Sequence, residues 1–368
     1  MTLTLHAPTL LEGDAKAFFE APSNAYPASV GYVSPLKGDI MKMLDPARNP
    51  LWLAGNPYRF WTVHRGGKPV GRIIAHMHRA SNERWGWNRA QFGFFDCADD
   101  AEAGRMLLEA AESFAREQGA DELVGNFNLT AMQQCGVMTG GFGEAAYTDM
   151  IVGAPWLPGM LEAAGFAPYF PMTTFEVDLT RANVPVPPLD PARFEFAPIK
   201  QSTFPERMEE ARLLLNDGFH DNPMFVPLTP DEFQFQAGEL STILDPRLSS
   251  VLKRDGAPVG VIIAIPDLNG FLKATRSRIG ITTPWHFLRY RINRKRAVLI
   301  FYSVARAAHS QGIMGAMIAH TLGRVRAAGY ETVGGTWISE ENPASLRQVE
   351  KLGGRSLHKL HLFRKDLT

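Results

Sequence analysis

Cysteine is scarce in this sequence, and its scarcity limits the kinds of protein it can encode. Among 368 residues only Cys97 and Cys135 are cysteines. Two cysteines do not build the disulfide framework of a small secreted domain, so we expect reduced thiols and a cytoplasmic protein. We interpret Cys135 as a small residue that fills space rather than as a nucleophile.

Net charge and long apolar runs are missing as well. The 38 Lys and Arg residues balance the 38 Asp and Glu residues, which argues against generic nucleic-acid binding. No window reaches the roughly 18 apolar residues of a membrane span. The opening MTLTLHAPTLLEGDAK lacks the cationic start and apolar core of a signal peptide. No pattern of His, Cys and Asp has metal-ligand spacing, so we expect no metal.

The length and one proline-rich segment predict two domains. A chain of 368 residues is long enough for two cores of ordinary size. Five prolines lie between residues 183 and 198, which is typical of a linker. The predicted division is therefore an N-terminal half, residues 1–182, a linker, residues 183–198, and a C-terminal half, residues 199–368.

An internal repeat relates the two halves. Residues 65–75 read RGGKPVGRIIA and residues 254–264 read RDGAPVGVIIA, so the turn and the Pro-Val-Gly and Ile-Ile-Ala runs share one register. A helix that ends at Gly119 and a helix that ends at Gly329 are each followed by a strand. Self-similarity of this length predicts two copies of one α/β unit.

The segment from Phe301 to Gly353 carries the most specific pattern. Apolar spacing predicts, in order, a strand at Leu299–Val304, a glycine-bearing turn, a helix at Ile313–Ala328, a strand at Thr332–Ile338 and a helix at Pro343–Leu352. A loop that tightens onto a helix N-terminus offers free N–H groups and a positive dipole to a pyrophosphate, and Gly312 allows close approach. An ordinary strand-to-helix turn has the same composition, so the loop alone leaves both interpretations open.

The whole segment resembles the GCN5-related N-acetyltransferase (GNAT) superfamily. There, a strand ending in Val-x-Pro leads to an Arg/Gln-x-x-Gly-x-Gly/Ala loop that binds the coenzyme A pyrophosphate, and an Asn-x-x-Ala helix follows. The corresponding positions are Val304, His309, Gly312, Asn342, Ser345, Lys351, Leu352 and Gly353. Four positions depart from the pattern: Arg306 replaces the proline, His309 replaces the usual Arg or Gln, Met314 replaces a small residue, and Val349 replaces the proton-donating Tyr of many relatives.

The resemblance implies an α/β fold of two tandem GNAT-like domains, each a mixed central sheet flanked by helices, with acyl-CoA as donor substrate. The implied CoA-binding positions are Val304, His309, Ser310, Gln311, Gly312, Ile313, Met314, Gly315, Ala316 and Asn342. Because Met314 is bulky for a phosphate turn, the grip is expected to be looser, or shifted by one residue to Gly315 and Ala316.

The two copies are not equivalent at this loop. The N-terminal copy has Asp99, Asp100 and Glu102 where the C-terminal copy has His309 to Gly312. Three carboxylates repel a pyrophosphate, so acyl-CoA is expected only in the C-terminal half. The N-terminal half is expected to shape the acceptor side or to stabilise the other half.

Motifs across the chain are similar to one bacterial tandem-GNAT group. They comprise Phe18, Phe19, Pro22, Asn49, Pro50, Gly93, Phe94, Phe95, Thr336, Trp337, Ile338, Glu340, Glu341 and Asn342. That group includes the bacterial ceramide synthases, which join a fatty acyl group from acyl-CoA to the amine of a sphingoid base. The resemblance implies an acyl-CoA-dependent N-acyltransferase in which a neutral amine attacks the thioester and backbone N–H groups near Val304 polarise the carbonyl.

Such a reaction needs a base for the ammonium proton, and three residues are candidates. They are Glu340, His220 and Tyr302, in no fixed order. Each also has an ordinary structural interpretation: Glu340 caps the following helix, His220 lies on the surface, and Tyr302 belongs to the core.

A basic segment, Phe271 to Arg296, contains eight cationic residues and no acidic one. The cations are Lys273, Arg276, Arg278, Arg289, Arg291, Arg294, Lys295 and Arg296, with aromatic and aliphatic residues between them. This composition suits an anionic membrane surface, the CoA phosphates, the mouth of a lipid channel, or a solvated face. The expected partners are thus acyl-CoA, a small or lipid amine, and peripheral contact with the inner face of the membrane, but no nucleic acid.

Two other functions fit part of the pattern. Val349 and Met314 favour a catalytically silent tandem GNAT that binds acyl-CoA or a partner protein. Transfer of an aminoacyl group from charged tRNA is permitted by the basic segment, but the zero net charge and the CoA-type loop count against it.

Overall fold

The computed structural model describes residues 2–7, 12–182, 189–238, 240–309 and 311–368. The strands are β1 Leu3–His6, β2 Tyr58–Arg65, β3 Lys68–Met77, β4 Arg89–Cys97, β5 Glu122–Gly125, β6 Val137–Gly140, β7 Ala167–Asp178, β8 Phe194–Pro198, β9 Ser250–Arg254, β10 Ala257–Pro266, β11 Arg296–Val304, β12 Thr332–Ser339 and β13 Arg355–Asp366. The α-helices are α1 Glu12–Ala25, α2 Lys37–Leu44, α3 Pro50–Leu53, α4 Arg79–Trp85, α5 Ala101–Glu117, α6 Leu157–Ala163, α7 Phe204–Gly218, α8 Pro230–Ala237, α9 Leu240–Ile243, α10 Asn269–Thr275, α11 Thr283–Asn293, α12 Ile313–Ala327 and α13 Pro343–Lys351.

The strands form one mixed sheet in which the predicted repeat is visible. Its order is β1-β2-β3-β4-β5-β13-β7-β12-β11-β10-β9-β8, and β6 pairs with β13 beside this path. The series β2-β3-β4-α5-β5 and the series β9-β10-β11-α12-β12 run in the same order. The third and fourth strands of each copy pair in parallel, and the other neighbours pair antiparallel. The prediction of two copies of one α/β unit, with mixed sheet and flanking helices, is confirmed.

The two halves exchange their closing strands at the centre of the sheet. Strand β13, which ends the C-terminal half, pairs with β5 of the N-terminal half through Phe363 and Gly125. Strand β7, which ends the N-terminal half, pairs with β12 through Asp178 and Thr332. The two closing strands also pair with each other. The sheet is therefore continuous across the molecule, and this β5-β13-β7-β12 region is called the seam below.

The predicted linker needs a correction. Residues 183–188 lie outside the described residues, but Phe194–Pro198 is strand β8, paired with β9 from Phe194↔Arg254 to Pro198↔Ser250. An edge strand accepts proline at its end, where no ladder hydrogen bond is lost. The division at residues 182 and 199 stays a prediction, because the seam interlocks the two halves.

A gap opens between β11 and β12. Their parallel pairing runs from Arg296↔Thr332 to Leu299↔Gly335 and then stops, while β11 stays paired with β10 and β12 with β7. The β10–β11 register slips here by one residue, which leaves Ile300 as the extra residue of a bulge. This opening, called the splay below, lies next to the glycine loop.

Helices pack on both faces of the sheet. On one face of the C-terminal half α12 buries Met317, Leu322 and Val325, and on the other α7 buries Met208 and Leu215. In the N-terminal half α5 buries a comparable stripe against β2 to β4. No helix among the described residues is long and apolar enough to cross a membrane.

Candidate functional site

The loop between β11 and α12 is folded back on itself. Residues Arg306–Ala308 form a 3₁₀ turn, and the N–H of Ala305 donates to the carbonyl of Val259 (2.9 Å). His309 Nε2 donates to the carbonyl of Val304 (2.9 Å), and Gln311 Nε2 donates to the carbonyl of Ala307 (3.2 Å). These bonds hold the loop against the end of β11, so it is a formed surface. Ser310, one of the predicted CoA contacts, lies outside the described residues.

Among the described residues, no side chain caps the first turn of α12. Gly312 occupies the N-cap position with φ 73°, a left-handed conformation that glycine adopts without strain. A Cβ at this position would meet no atom of the described residues within 4 Å, so these residues leave space in front of the turn. Free N–H groups and the helix dipole make this an attractive position for an anion.

Three predicted contact residues can offer only their backbone here. Ile313 and Ala316 are buried, and Met314 packs its side chain against the core beneath α12. The N–H of Met314 therefore stays at the helix N-terminus. The looser or shifted grip on the pyrophosphate, expected from the bulk of Met314, stays a prediction.

Two arginines flank the loop. Arg254 Nη1 donates to Oε1 of Gln311 (2.8 Å). Arg306 is held by Asp217, which accepts its backbone N–H (2.7 Å) and its Nε–H (3.1 Å). The backbone N–H of Arg306, and then its guanidinium, keep the pKa of Asp217 below its usual value. The loop thus presents two cations and an uncapped helix end together, a combination suited to a pyrophosphate.

The equivalent junction in the N-terminal half is closed by its own acid. Asp100 is the N-cap of α5, where it accepts the N–H of Ala103 (3.2 Å). Its other oxygen accepts a hydrogen bond from Nε of Arg65 (2.7 Å). A carboxylate of the chain already satisfies this helix N-terminus, so an incoming phosphate would find a negative charge there.

The three candidate bases have different surroundings. Tyr302 lies on β11, and its hydroxyl is within hydrogen-bonding reach of the Ser345 side chain in α13. Burial raises the pKa of the phenol. Glu340 makes a 3.0 Å ion pair with Lys359. His220 is half-exposed and its Nδ1 lies 2.9 Å from Asp221. Only Tyr302 reaches a neighbouring element of the splay while remaining neutral, which suits a proton donor better than a base.

The turn before α13 shows which residue caps this helix. Asn342, predicted as a CoA contact, is the N-cap of α13 and accepts the N–H of Ser345 (3.1 Å). The cap is therefore Asn342 and not Glu340. Val349 stands at the position of the usual proton-donating Tyr and packs against Gly354. A Cβ on Gly354 would lie 2.5 Å from Cγ1 of Val349. The Tyr302 hydroxyl therefore lies close to α13, the helix in which Val349 replaces the proton-donating Tyr of many relatives.

A cavity of about 310 Å³ lies where the two halves meet. Its wall includes Phe94 of β4 and, from β11, Ile300 and Phe301 at the splay. Most of the remaining wall is apolar and comes from α2, α8, α9, α10 and the residues that cap them, from β10, and from the loops before β6 and α6: Leu36, Met43, Met132, Met150, Val152, Phe233, Leu240, Ile243, Ile265, Leu268, Phe271 and Leu272. Sequence reasoning missed this cavity because its residues come from many distant segments.

One carboxylate stands out in that wall. Asp149 has φ 70°, and burial raises the pKa of its side chain to about 8. The composition of the chain does not reveal an acid whose pKa is raised toward neutral pH in the wall of a mostly apolar cavity.

Comparisons with known proteins agree with this fold. Residues 212–353 match the acetyltransferase (GNAT) family. The whole chain superposes on a tandem GNAT protein from the clavulanic acid biosynthesis pathway with a TM-score of 0.61, at 13% identity, over 100% of this chain and 99% of that one. The chain has the tandem GNAT fold. A GCN5-related N-acetyltransferase from Sphaerobacter thermophilus shows the same fold, with a TM-score of 0.55 and 13% identity over 99% and 96% of the two chains.

Two curated relatives align with this chain over nearly its full length. Protein YghO of Escherichia coli (strain K12) is 26% identical over 97% of this chain and 94% of its own. The bacterial ceramide synthase of Caulobacter vibrioides is 23% identical over 98% and 97%. GNAT enzymes use acyl-CoA as donor, and the chain is similar to an enzyme named for a lipid product.

Proposed function

We propose that this tandem GNAT protein is an acyl-CoA-dependent N-acyltransferase whose acceptor is a long-chain amine, such as a sphingoid base. One observation carries the proposal. The uncapped α12 N-terminus, with Arg254 and Arg306, lies at the end of the same strand, β11, whose bulge opens into an apolar cavity. A phosphate-binding end and an apolar end are thus joined by one strand, as an acyl-CoA and a lipid acceptor require.

The proposed chemistry is a direct transfer. The pyrophosphate of the donor would bind the first turn of α12, and the thioester would reach the splay. Backbone N–H groups that the splay leaves without a strand partner would polarise the thioester carbonyl. The amine would attack it from the cavity, and the neutral Tyr302 hydroxyl would donate a proton to the departing sulfur.

The size and lining of the cavity favour a lipid acceptor. Ligand pockets commonly occupy about 300–1,000 Å³ and are mostly apolar, and this one lies at the lower end of that range. Burial of each methylene stabilises a bound chain by about 0.8 kcal/mol. A small polar amine would gain nothing from this wall, whereas a long alkyl chain gains along its whole length.

A helix beside the cavity supplies a route to the membrane. Helix α11 exposes an apolar stripe of Trp285, Leu288 and Ile292 at helical spacing. Its other side packs Phe287 and Tyr290 on Phe271 of α10, which itself lines the cavity. We infer that the exposed stripe inserts at the surface of an anionic bilayer and places the cavity within reach of a membrane lipid.

The eight cations of this segment have two different roles. Four make ion pairs within the fold: Arg278 with Glu20, Arg294 with Asp245, Lys295 with Glu331 and Arg296 with Asp267. The other four, Lys273, Arg276, Arg289 and Arg291, are exposed and form no ion pair with the described residues. Only this second set, called the free cations below, is available to lipid phosphates.

Turnover is the test of the proposed function. Purified protein is incubated with acyl-CoAs of several chain lengths and a sphingoid base, with free CoA thiol measured and products identified by mass spectrometry. We expect an N-acyl product and stoichiometric thiol release, and shorter amines should react less efficiently. Acyl-CoA binding without release, with every amine, would overturn the proposal and support the catalytically silent alternative.

Vesicle binding tests the membrane part separately. Replacing the free cations by Gln should weaken sedimentation with anionic vesicles, since each contributes about 1 kcal/mol near such a surface. Raised salt should do the same to the parent protein. The matched control replaces Arg278 and Lys295 by Gln, because these surface cations are already paired. Salt-independent or absent binding of the parent would show that the segment is a solvated face.

A further inference from the structure

Asp149 is held rigidly in a tight turn. The N–H of Met150 donates to the carbonyl of Tyr147 (3.1 Å), and Asp149 between them has φ 70°. Thr148 is fixed to Asp267 through its N–H and its hydroxyl, both at 2.9 Å. Glycine would adopt this left-handed conformation with less strain, although Asp tolerates it. The turn therefore does not need a carboxylate, whereas the cavity that Asp149 lines is otherwise mostly apolar.

The carboxylate has no partner of its own. No described residue donates a hydrogen bond to Asp149, and burial alone accounts for the rise of its pKa to about 8. The side chain of Asp149 is only partly exposed, and an acid that is shielded from water without a donor destabilises a fold; such groups are retained mainly at binding and catalytic sites. What this carboxylate lacks is a cation or a hydrogen-bond donor, and an ammonium group supplies both.

The neighbouring charges do not supply that cation. Arg296 is bound to Asp267 (2.9 Å) and to the carbonyl of Ala146 (3.1 Å). Asp39 and Lys42 of α2 line the same cavity, and each already has an interaction partner. The Cys135 thiol is the remaining titratable neighbour; burial first, and then Asp149, raises its pKa, so it stays neutral.

The turn packs against the last paired residues of β11 and β12, next to the splay where the thioester would lie. The ring of Tyr147 occupies the space left by Gly334 of β12, where a Cβ would come within 2.6 Å of the ring. Tyr147 and Met150 also pack with Val298 of β11, and Ile300 joins that cluster. Asp149, between these two anchors, therefore faces the cavity next to the point where β11 and β12 separate.

We propose that Asp149 binds the ammonium head of the acceptor amine and removes its proton before attack. The inference rests on the proposed N-acyltransferase function and names its base, in place of Glu340 and His220. One ammonium proton passes to the Asp149 carboxylate. The nitrogen then forms the C–N bond, the C–S bond breaks, the second proton ends on the CoA sulfur, and Asp149 releases its proton to solvent.

This arrangement also sets the acceptor class. A carboxylate in an apolar cavity selects a primary amine that carries an alkyl chain over an alcohol of the same length. An alcohol cannot form the ion pair, and a small amine cannot fill the apolar wall. Charge-assisted hydrogen bonds of this kind give about ten- to a hundredfold discrimination.

Two readouts test Asp149. The first is equilibrium binding of dodecylamine and dodecanol to the full chain, which needs no turnover. The parent should prefer the amine by about ten- to a hundredfold, and Asp149→Asn should remove the preference. The second is the pH profile of kcat/KM with a sphingoid base. The parent should lose activity as pH falls through about 8, and Asp149→Asn should lower activity by about 10²–10⁴-fold and flatten that limb.

Controls separate the possible outcomes. Asp149→Gly suits the left-handed turn and should fold, yet should behave like Asp149→Asn. Asp99→Asn makes the same chemical change at an exposed carboxylate and should behave like the parent. An amine preference that survives Asp149→Asn overturns the inference. A parent that releases no CoA with any amine overturns the proposed function, while the binding comparison still decides the role of Asp149.

Discussion

The two halves of the sheet share a strand order and differ at one junction. In the N-terminal half residues 98–100 connect β4 to α5, and Asp100 caps the helix while it pairs with Arg65. In the C-terminal half residues 305–312 connect β11 to α12, and the helix begins at an uncapped glycine between two arginines. One junction satisfies its helix dipole with a carboxylate of the chain, and the other shows no such side chain among the described residues.

The two copies of the duplicated fold differ in the charge that they place at this helix N-terminus. A carboxylate at a helix N-terminus stabilises that helix and excludes an anion from it. The N-terminal copy therefore gains local stability where the C-terminal copy keeps a helix N-terminus without a side-chain cap among the described residues. The match to the acetyltransferase family covers residues 212–353, which lie in the C-terminal half. The N-terminal half instead contributes Phe94, Asp149 and α2 to the wall of the shared cavity.

The largest expected effect comes from placing a charge at the open junction. Gly312→Glu should weaken acyl-CoA binding at least about a hundredfold, because unit charges about 4 Å apart repel by several kcal/mol near a protein surface. Binding is measured by calorimetry. Gly312→Ala is the control for strain at φ 73° and should lose far less. Ala98→Glu adds the same charge at the N-terminal junction and should leave binding intact; equal losses at both junctions would contradict the asymmetry.

A weaker seam should destabilise both halves of the molecule together. Leu362 on β13 is fully buried in a cluster that also contains Val124 and Met172. Leu362→Ala should lower the free energy of unfolding by about 2–5 kcal/mol. In urea, far-UV circular dichroism and tryptophan fluorescence should still show one shared transition, because β13 belongs to both halves. Two separated transitions would indicate that the halves fold independently.

Local patterns in the sequence predicted the repeat and the glycine loop. The two hairpins are set by adjacent residues, since the turn and the alternating apolar strands lie within one short segment. The bounds of α12, β12 and α13 differ from their predictions by one residue at most. The loop could be found because its chemistry depends on consecutive residues around Gly312.

Non-local features could not be predicted in this way. The exchange of β7 and β13 depends on partners far apart in the chain, and the sequence carries no local mark of which strand each one joins. Strand β8 was hidden by prolines in a segment that reads as a linker. Helix α1 continues through Pro22, against the usual effect of proline inside a helix. Asp149 lies in a turn without any motif, so only its place in the wall of the cavity makes it a candidate.

The pH dependence of the free energy of unfolding should distinguish Asp149 from Asp99, an acid at the junction of β4 and α5. The pKa of Asp is about 3.9 in an unfolded chain and about 8 for Asp149 in the fold. The folded state thus binds more protons between these values, and the free energy of unfolding falls as pH rises from about 4 to about 8. Asp149→Asn should remove this loss and be more stable than the parent at pH 8 by about 1–3 kcal/mol. Asp99→Asn should show no such gain in urea titrations at pH 5 and pH 8.

The smallest expected effect concerns how firmly the open loop is held. Asp217→Asn removes the charge that fixes Arg306, a largely solvent-exposed pair. Exposed pairs contribute little, so the Kd for acyl-CoA should rise only about two- to fivefold. The comparable change at the closed junction, Asp100→Asn, should leave the Kd unchanged. A loss above a hundredfold at Asp217 would mean that its carboxylate has a direct part in the reaction.

The stoichiometry of acyl-CoA binding tests the central claim most directly. Calorimetric titration of the full chain with a non-hydrolysable acyl-CoA analogue should give one site per chain, and that site should vanish in Gly312→Glu and persist in Ala98→Glu. Two sites per chain, or a single site that survives Gly312→Glu, would contradict the account of one open and one closed junction.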